Sequence, residues 1–326
     1  MTRDEIAVAL AACSRDRIVL ARDLRGAGLA GKEIARACTT GQLERWAMGV
    51  YVVSGTPDDA RHRGRAALAA AGTGAVLSGL WAARWWGLRW VPDRPEGTVM
   101  VLVPSERRRR GSTDPWILVR RKNDLASLPT FLVGGMPVPS IAQVVVDASR
   151  EVTSLRDVRG LVLGAVANRL CTVAEILEIV DRGAPAKTAW VRRACRDAER
   201  GAASPPEAEA ADEMMGCGHP FYVNCAVYLN GVLLGIADIW LVGRGTGAEL
   251  DSREFHEEPD LLEATFGRDK GFTRAGLSLD HWTPKSFRAD RQGFVRSLIA
   301  EADRRTALGL TEPPGLTLKP SGPLLQ

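Results

Sequence analysis

The chain has 326 residues, 45% hydrophobic and 25% charged, a composition that excludes wholesale disorder and a collagen-like fibre. No run of about 18 apolar residues occurs, and the first 17 residues mix acidic and basic side chains with no usable signal-peptide core, so neither a membrane span nor a secretory signal is expected. Net charge is +4, but it is unevenly spread: residues 61–124 carry thirteen basic and five acidic side chains, whereas 200–326 carry thirteen and eighteen. The basic stretch points to a polyanionic partner for the first half. Six cysteines with no CxxC pair and four scattered histidines argue against structural zinc and read as reduced thiols in a cytoplasmic protein.

In chain order, Ile6, Ala9, Leu10 and Cys13 mark a first helix. Ile18, Leu20, Ala21 and Leu24 suggest a second, and Leu29, Ile34, Ala35 and Ala37 a third. Two short strands, 42–46 and 49–53, follow. Helix, turn, helix and hairpin within about 55 residues is the layout of a winged helix-turn-helix. Lys32 and Arg36 share a face of the third helix, with Arg36 suited to a base edge and Lys32 to a phosphate. Arg45 belongs to the wing.

Turn formers at 55–58 end this segment. Helices are expected at 60–71, 77–88, 141–148, 155–167, 173–180 and 184–200, and strands at 99–104 and 116–121 around the basic run Arg107–Arg110. Past residue 206 the pattern becomes a helix at 207–215 and three strands, 221–229, 232–241 and 248–251. Asn230-Gly231 between two apolar runs is a hairpin signal. A helical stretch at 261–275, a strand at 277–282, a helix at 288–307 and a frayed, proline-rich tail complete the chain.

The chemistry-bearing constellation is acidic. Glu249 and Asp251 alternate on one strand and so share a face, Asp238 lies on the preceding strand, and Glu207 opens the helix before them. Gathered carboxylates make a hard oxygen cage suited to Mg²⁺ or Mn²⁺, able to activate water against a phosphodiester. The alternative is a solvated acidic strand end.

Gly235-Ile-Ala-Asp238 followed by Ala248-Glu-Leu-Asp-Ser-Arg-Glu-Phe-His256 resembles the very-short-patch-repair-like endonuclease domain of the PD-(D/E)xK superfamily. Ala203-Ser-Pro-Pro-Glu207 resembles its opening helix, and Trp282-Thr-Pro284 its later strand. Upstream, Thr40–Tyr51 resembles the winged-helix domain of AbiEi-type antitoxins, and Leu77-Ser-Gly79, Trp86-Gly-Leu88 and Val138-Pro-Ser140 the middle part of that architecture. The resemblance implies a multidomain α+β and α/β protein: a winged helix at 1–57, a middle domain at 58–200, an endonuclease-like domain at 201–307 and a flexible tail at 308–326. It implies DNA as partner, in a defence or toxin–antitoxin context with a cognate toxin. Glu207, Asp238, Glu249, Asp251 and His256 would be catalytic, with Asp238, Glu249 and Asp251 holding the metal. Asp251 stands where the wider superfamily often has lysine, and His256 would take the proton-transfer role near neutral pH. The competing reading is a non-enzymatic antitoxin or repressor carrying an inactive nuclease fold.

Overall fold

The computed structural model describes residues 3–92, 97–106, 114–183, 188–250 and 270–326. They form a mixed α+β protein of two compact units, Met1–Thr153 with Glu178–Gly183, and Ser154–Leu177 with Ala184–Gln326. The expected segment 58–200 is thus divided, most of it joining the first 57 residues. Among the described residues no helix is long and apolar enough to cross a membrane.

The first unit opens with α1 (Arg3–Cys13), β1 (Ile18–Leu20), α2 (Ala21–Gly26), α3 (Gly31–Thr39), β2 (Leu43–Ala47) and β3 (Val50–Val53). Ile6, Leu10, Leu24, Leu29, Ile34 and Leu43 fill its core. The helix expected from Ile18 is instead a strand followed by a helix. Ile18 and Val19 are β-branched and pair with Val52 and Tyr51, completing a sheet of order β1-β3-β2.

Then come α4 (Ala60–Ala71), β4 (Val76–Ser78), α5 (Gly79–Trp85), β5 (Val99–Pro104), β6 (Ile117–Lys122), β7 (Thr130–Val133), β8 (Met136–Pro139) and α6 (Ile141–Ser149). β4, β5 and β6 form one sheet, antiparallel then parallel. The helix expected over 77–88 loses its start to β4. Gly79 makes the sharp strand-to-helix turn at φ 68°, and a Cβ there would lie 1.9 Å from Glu151 Oε1. That carboxylate accepts a hydrogen bond from Leu80 N at 2.8 Å, and buried Ser78 Oγ donates to Asp147 Oδ2 at 2.8 Å. Glycine is required by both backbone and space.

The second unit contains α7 (Leu155–Ala167), the first half of α8 (Val173–Arg182), α9 (Thr188–Glu199), α10 (Pro205–Met214), β9 (Phe221–Leu229), β10 (Val232–Leu241), β11 (Thr246–Leu250), β12 (Ser278–Trp282), α11 (Pro284–Ala289), α12 (Arg291–Ala307) and β13 (Leu316–Pro320). Its sheet runs β12-β11-β10-β9-β13, antiparallel except for the β11–β12 pair. Asn230 and Gly231 both have positive φ, 51° and 81°, the backbone a two-residue hairpin of this sequence needs. The helix expected at 288–307 breaks at Asp290, whose Oδ1 caps α12 by accepting from Gly293 N at 2.7 Å.

The tail departs most from expectation. Residues 316–320 are an edge strand on β9, and Leu325 bridges Phe221. Alternating apolar Leu316 and Leu318 pack on the sheet, which outweighs the nearby prolines and glycines. Arg107–Arg110 lies outside the described residues.

Candidate functional site

The candidate residues of the second unit lie along one row across the sheet. Val223 pairs with Ile239 and Cys225 with Ala237, which sets Asn224 opposite Asp238. Ile239 pairs with Ala248, so Asp238 falls beside Glu249. Glu249 in turn pairs with His281 on β12. The row therefore reads Asn224, Asp238, Glu249, His281 over four adjacent strands. Asp238 and Glu249 are half-buried, whereas His281 is exposed. Asp238 Oδ2 accepts a hydrogen bond from Leu250 N at 2.6 Å, which fixes its carboxylate across the strand pair.

Glu207 reaches the row through Asn224. It stands at the third position of α10, whose start is set by Ser204 and by two prolines in the first turn. Glu207 Oε2 accepts from Ala203 N at 2.7 Å and from Asn224 Nδ2, while Oε1 accepts from Ser204 Oγ. Asn224 Nδ2 also donates to Gly201 O at 2.9 Å. Both Glu207 oxygens are thus engaged at the start of α10, and one of them also holds Asn224. Asp251 and His256 lie outside the described residues.

Among the described residues no group of three or more His, Cys, Asp or Glu side chains is gathered as a metal cage. The donor chemistry of Asp238 and Glu249 still suits a hard cation. Carboxylates supply the hard oxygen donors such an ion prefers. Thiol nucleophiles are poorly served. Burial pushes Cys171 and Cys195 up to about 12 and Cys225 up to about 11, leaving little thiolate at neutral pH.

In the first unit, Ile34 and Ala37 anchor α3 in the core and leave Lys32 and Arg36 exposed on its outer side, as their spacing predicts. Arg45 is exposed on β2 and lines a surface concavity with Trp46, Asp58, Arg63 and Trp116. Two bonds hold the β2–β3 turn against residues 114–116. Trp116 Nε1 donates to Trp46 O at 3.0 Å, and Met48 N donates to Asp114 Oδ2 at 3.0 Å. Sequence spacing gave no sign of Trp116 or Asp114, which lie about 70 residues from the turn they grip. Asn224 was missed for a similar reason: a lone asparagine within an apolar run carries no local signal.

No family model and no curated protein matches the chain. Among solved structures it is similar to one described as the crystal structure of RV2827C protein from Mycobacterium tuberculosis, with 18% identity over 60% of this chain and 78% of that chain and a TM-score of 0.43. A likeness of that size carries no functional argument.

Proposed function

We propose that the chain binds DNA through its first 57 residues and carries a divalent-metal phosphodiesterase site, a DNA nickase, on the sheet of its second unit. The observation that carries this reading is the adjacency of Asp238 and Glu249 on β10 and β11, with Asp238 oriented by Leu250 N. In this reading Asp238, Glu249 and Asp251 hold Mg²⁺ or Mn²⁺. The ion would supply an activated water and offset charge developing on the phosphodiester. Asn224 and Glu207 position the row from the β9 side, and His256 moves the proton. The order α1-β1-α2-α3-β2-β3, with Lys32 and Arg36 exposed on α3, supports a winged helix with α3 as the reading helix. The resemblance noted above adds a cognate toxin as a second partner.

One observation favours the alternative, a non-enzymatic antitoxin-like repressor. Glu207 has both oxygens committed to α10 and Asn224, so the nuclease-like row could persist as a purely structural feature. Plasmid nicking separates the two readings. The full chain is incubated with supercoiled DNA in Mg²⁺, Mn²⁺ or EDTA, beside Asp238→Asn. Nicking that needs metal and vanishes in the variant supports the nuclease. No nicking, together with a melting temperature indifferent to both ions, leaves the repressor.

A further inference from the structure

The concavity beside the wing is a built recess with two indoles and an uncommitted cation. Trp116 is fixed through Nε1 to Trp46 O, and the Arg63 guanidinium lies over the Trp116 ring, 5.6 Å from its centroid. Arg63 is itself held by Asp58, its second terminal nitrogen donating to Asp58 Oδ2 at 2.7 Å alongside a second bond from Nε. This fork–fork pair neutralises the one carboxylate of the recess. Arg45 is different: it is exposed, and among the described residues it has no hydrogen bond or ion pair. The recess is therefore lined by two indoles, one of them already under the Arg63 guanidinium, with a net positive charge and walls cross-linked by two hydrogen bonds. Preformed walls reduce the ordering cost of binding.

A planar, apolar-faced group bearing an anion a few ångströms away matches that chemistry. We propose that the recess formed by Arg45, Trp46, Asp58, Arg63 and Trp116 binds one nucleotide, its base against the indoles and its phosphate on Arg45. Base–aromatic stacking tolerates any base and needs an unpaired one, while arginine supplies the phosphate contact. The nucleotide is either free or an unstacked residue of a strand. The site deepens the DNA-binding reading without depending on cleavage, and duplex binding through Lys32 and Arg36 can succeed or fail separately.

The test is calorimetric titration of the full chain with dAMP, deoxyadenosine, deoxyribose 5-phosphate and the single strand (dA)₅. The expected result is dAMP binding with a Kd of about 1 mM or tighter, weakened about tenfold when either the base or the phosphate is removed. Arg45→Ala, an exposed change that leaves the fold intact, weakens dAMP about tenfold, and Trp46→Leu does the same. If a strand is the source, (dA)₅ binds at least tenfold tighter than dAMP and displaces it. If free nucleotide is the source, (dA)₅ binds no tighter per site. Absence of dAMP binding at 5–10 mM (roughly the weak end of useful affinity), or binding unchanged in Arg45→Ala, overturns the proposal, even where duplex DNA still binds.

Discussion

Asn224 on β9 stands opposite Asp238 on β10, and at this row the odd-numbered positions of both strands pass from one core to the other. Phe221, Val223, Ile239 and Leu241 belong to the cluster containing Phe287 and Phe294. Cys225, Val227 and Ala237 belong to the cluster containing Phe272 and Leu277. The crossing is made by Asn224, which adopts φ 48°, a left-handed conformation that asparagine tolerates better than most residues. At the same row the Asp238 carboxylate accepts a hydrogen bond from Leu250 N at 2.6 Å.

Variants of Asn224 separate its backbone role from its side-chain role. Asn224→Ala loses the amide that donates to Glu207 and Gly201 O and also meets the left-handed penalty. A loss of about 2–3 kcal/mol is expected in urea unfolding. Asn224→Gly loses the same bonds but not the backbone fit, so it should be about 1 kcal/mol more stable than the alanine variant. Equal stabilities would show that the positive φ carries no cost here.

The helical layer of this unit is tied by buried charge. Arg159 on α7 and Asp197 on α9 are 3% and 2% exposed, with Nε donating to Oδ2 at 2.8 Å. Arg159 also pairs with Asp212 on α10, and Arg193 joins both carboxylates. Arg159→Met strands two carboxylates, so a loss of about 3–5 kcal/mol is expected. Adding Asp197→Leu should recover part of it, because the more deeply buried carboxylate is then gone and Asp212 keeps Arg193. A double variant less stable than Arg159→Met alone would mean that Asp197 is satisfied by Arg193 and Arg200.

Acid titration checks the ion pair beneath the recess. The Arg63 guanidinium, by donating to Asp58, holds that carboxyl below its ordinary value of 3.8. A depressed folded value means the pair stabilises the fold in full above pH 3.8 and loses that contribution as pH falls through the lower value. The melting temperature of wild type should exceed that of Asp58→Asn by no more than about 3 °C, because the pair is partly exposed. The gap should be flat from pH 8 to about 5 and close in acid. A gap that widens in acid would reverse the assignment.

Lys32 and Arg36 are expected to contribute phosphate-type contacts to duplex DNA. Their joint replacement by alanine should leave the melting temperature unchanged, since both side chains are exposed. The slope of log K against log salt should flatten by about one to two units. An unaltered slope would place the electrostatic contacts elsewhere on the molecule.

Much of this could be read from the chain itself, and the failures have physical causes. The Asn230-Gly231 hairpin, α4, α7 and β5 follow from local periodicity and turn chemistry, which act within a few residues. The adjacency of Asp238 and Glu249 was legible because one tight turn, 242–245, joins their strands and fixes the register. What stayed hidden depends on partners far along the chain. Asn224 acts through Glu207, 17 residues away, and Trp116 acts through Trp46, 70 residues away. β1 read as helix because three residues are too few to display a period of two. The hairpin of β7 and β8 was missed because Phe131 and Leu132 are exposed, which removes the alternation a buried face would impose.

The C-terminal tail was misread for the same reason, and removing it gives the sharpest test of the fold. β13 covers the outer edge of β9 over Leu316–Pro320, in register with Leu229–Cys225. Glu312, just before it, accepts from Trp240 Nε1 at 3.2 Å and from Gly243 N at 3.0 Å through Oε1. Deleting residues 311–326 would leave the buried Trp240 indole without this acceptor and expose a nine-residue strand edge. The indole bond alone is worth about 1 kcal/mol, and the lost apolar packing of Leu316, Leu318 and Leu325 adds several more. The truncated chain should melt at least about 5 °C lower and aggregate on concentration, because an open edge pairs with other edges. Light scattering and thermal unfolding, side by side, check both parts. A truncated chain that stays monomeric and melts with wild type would mean that β13 is an appendage and that β9 is stable as an edge without it.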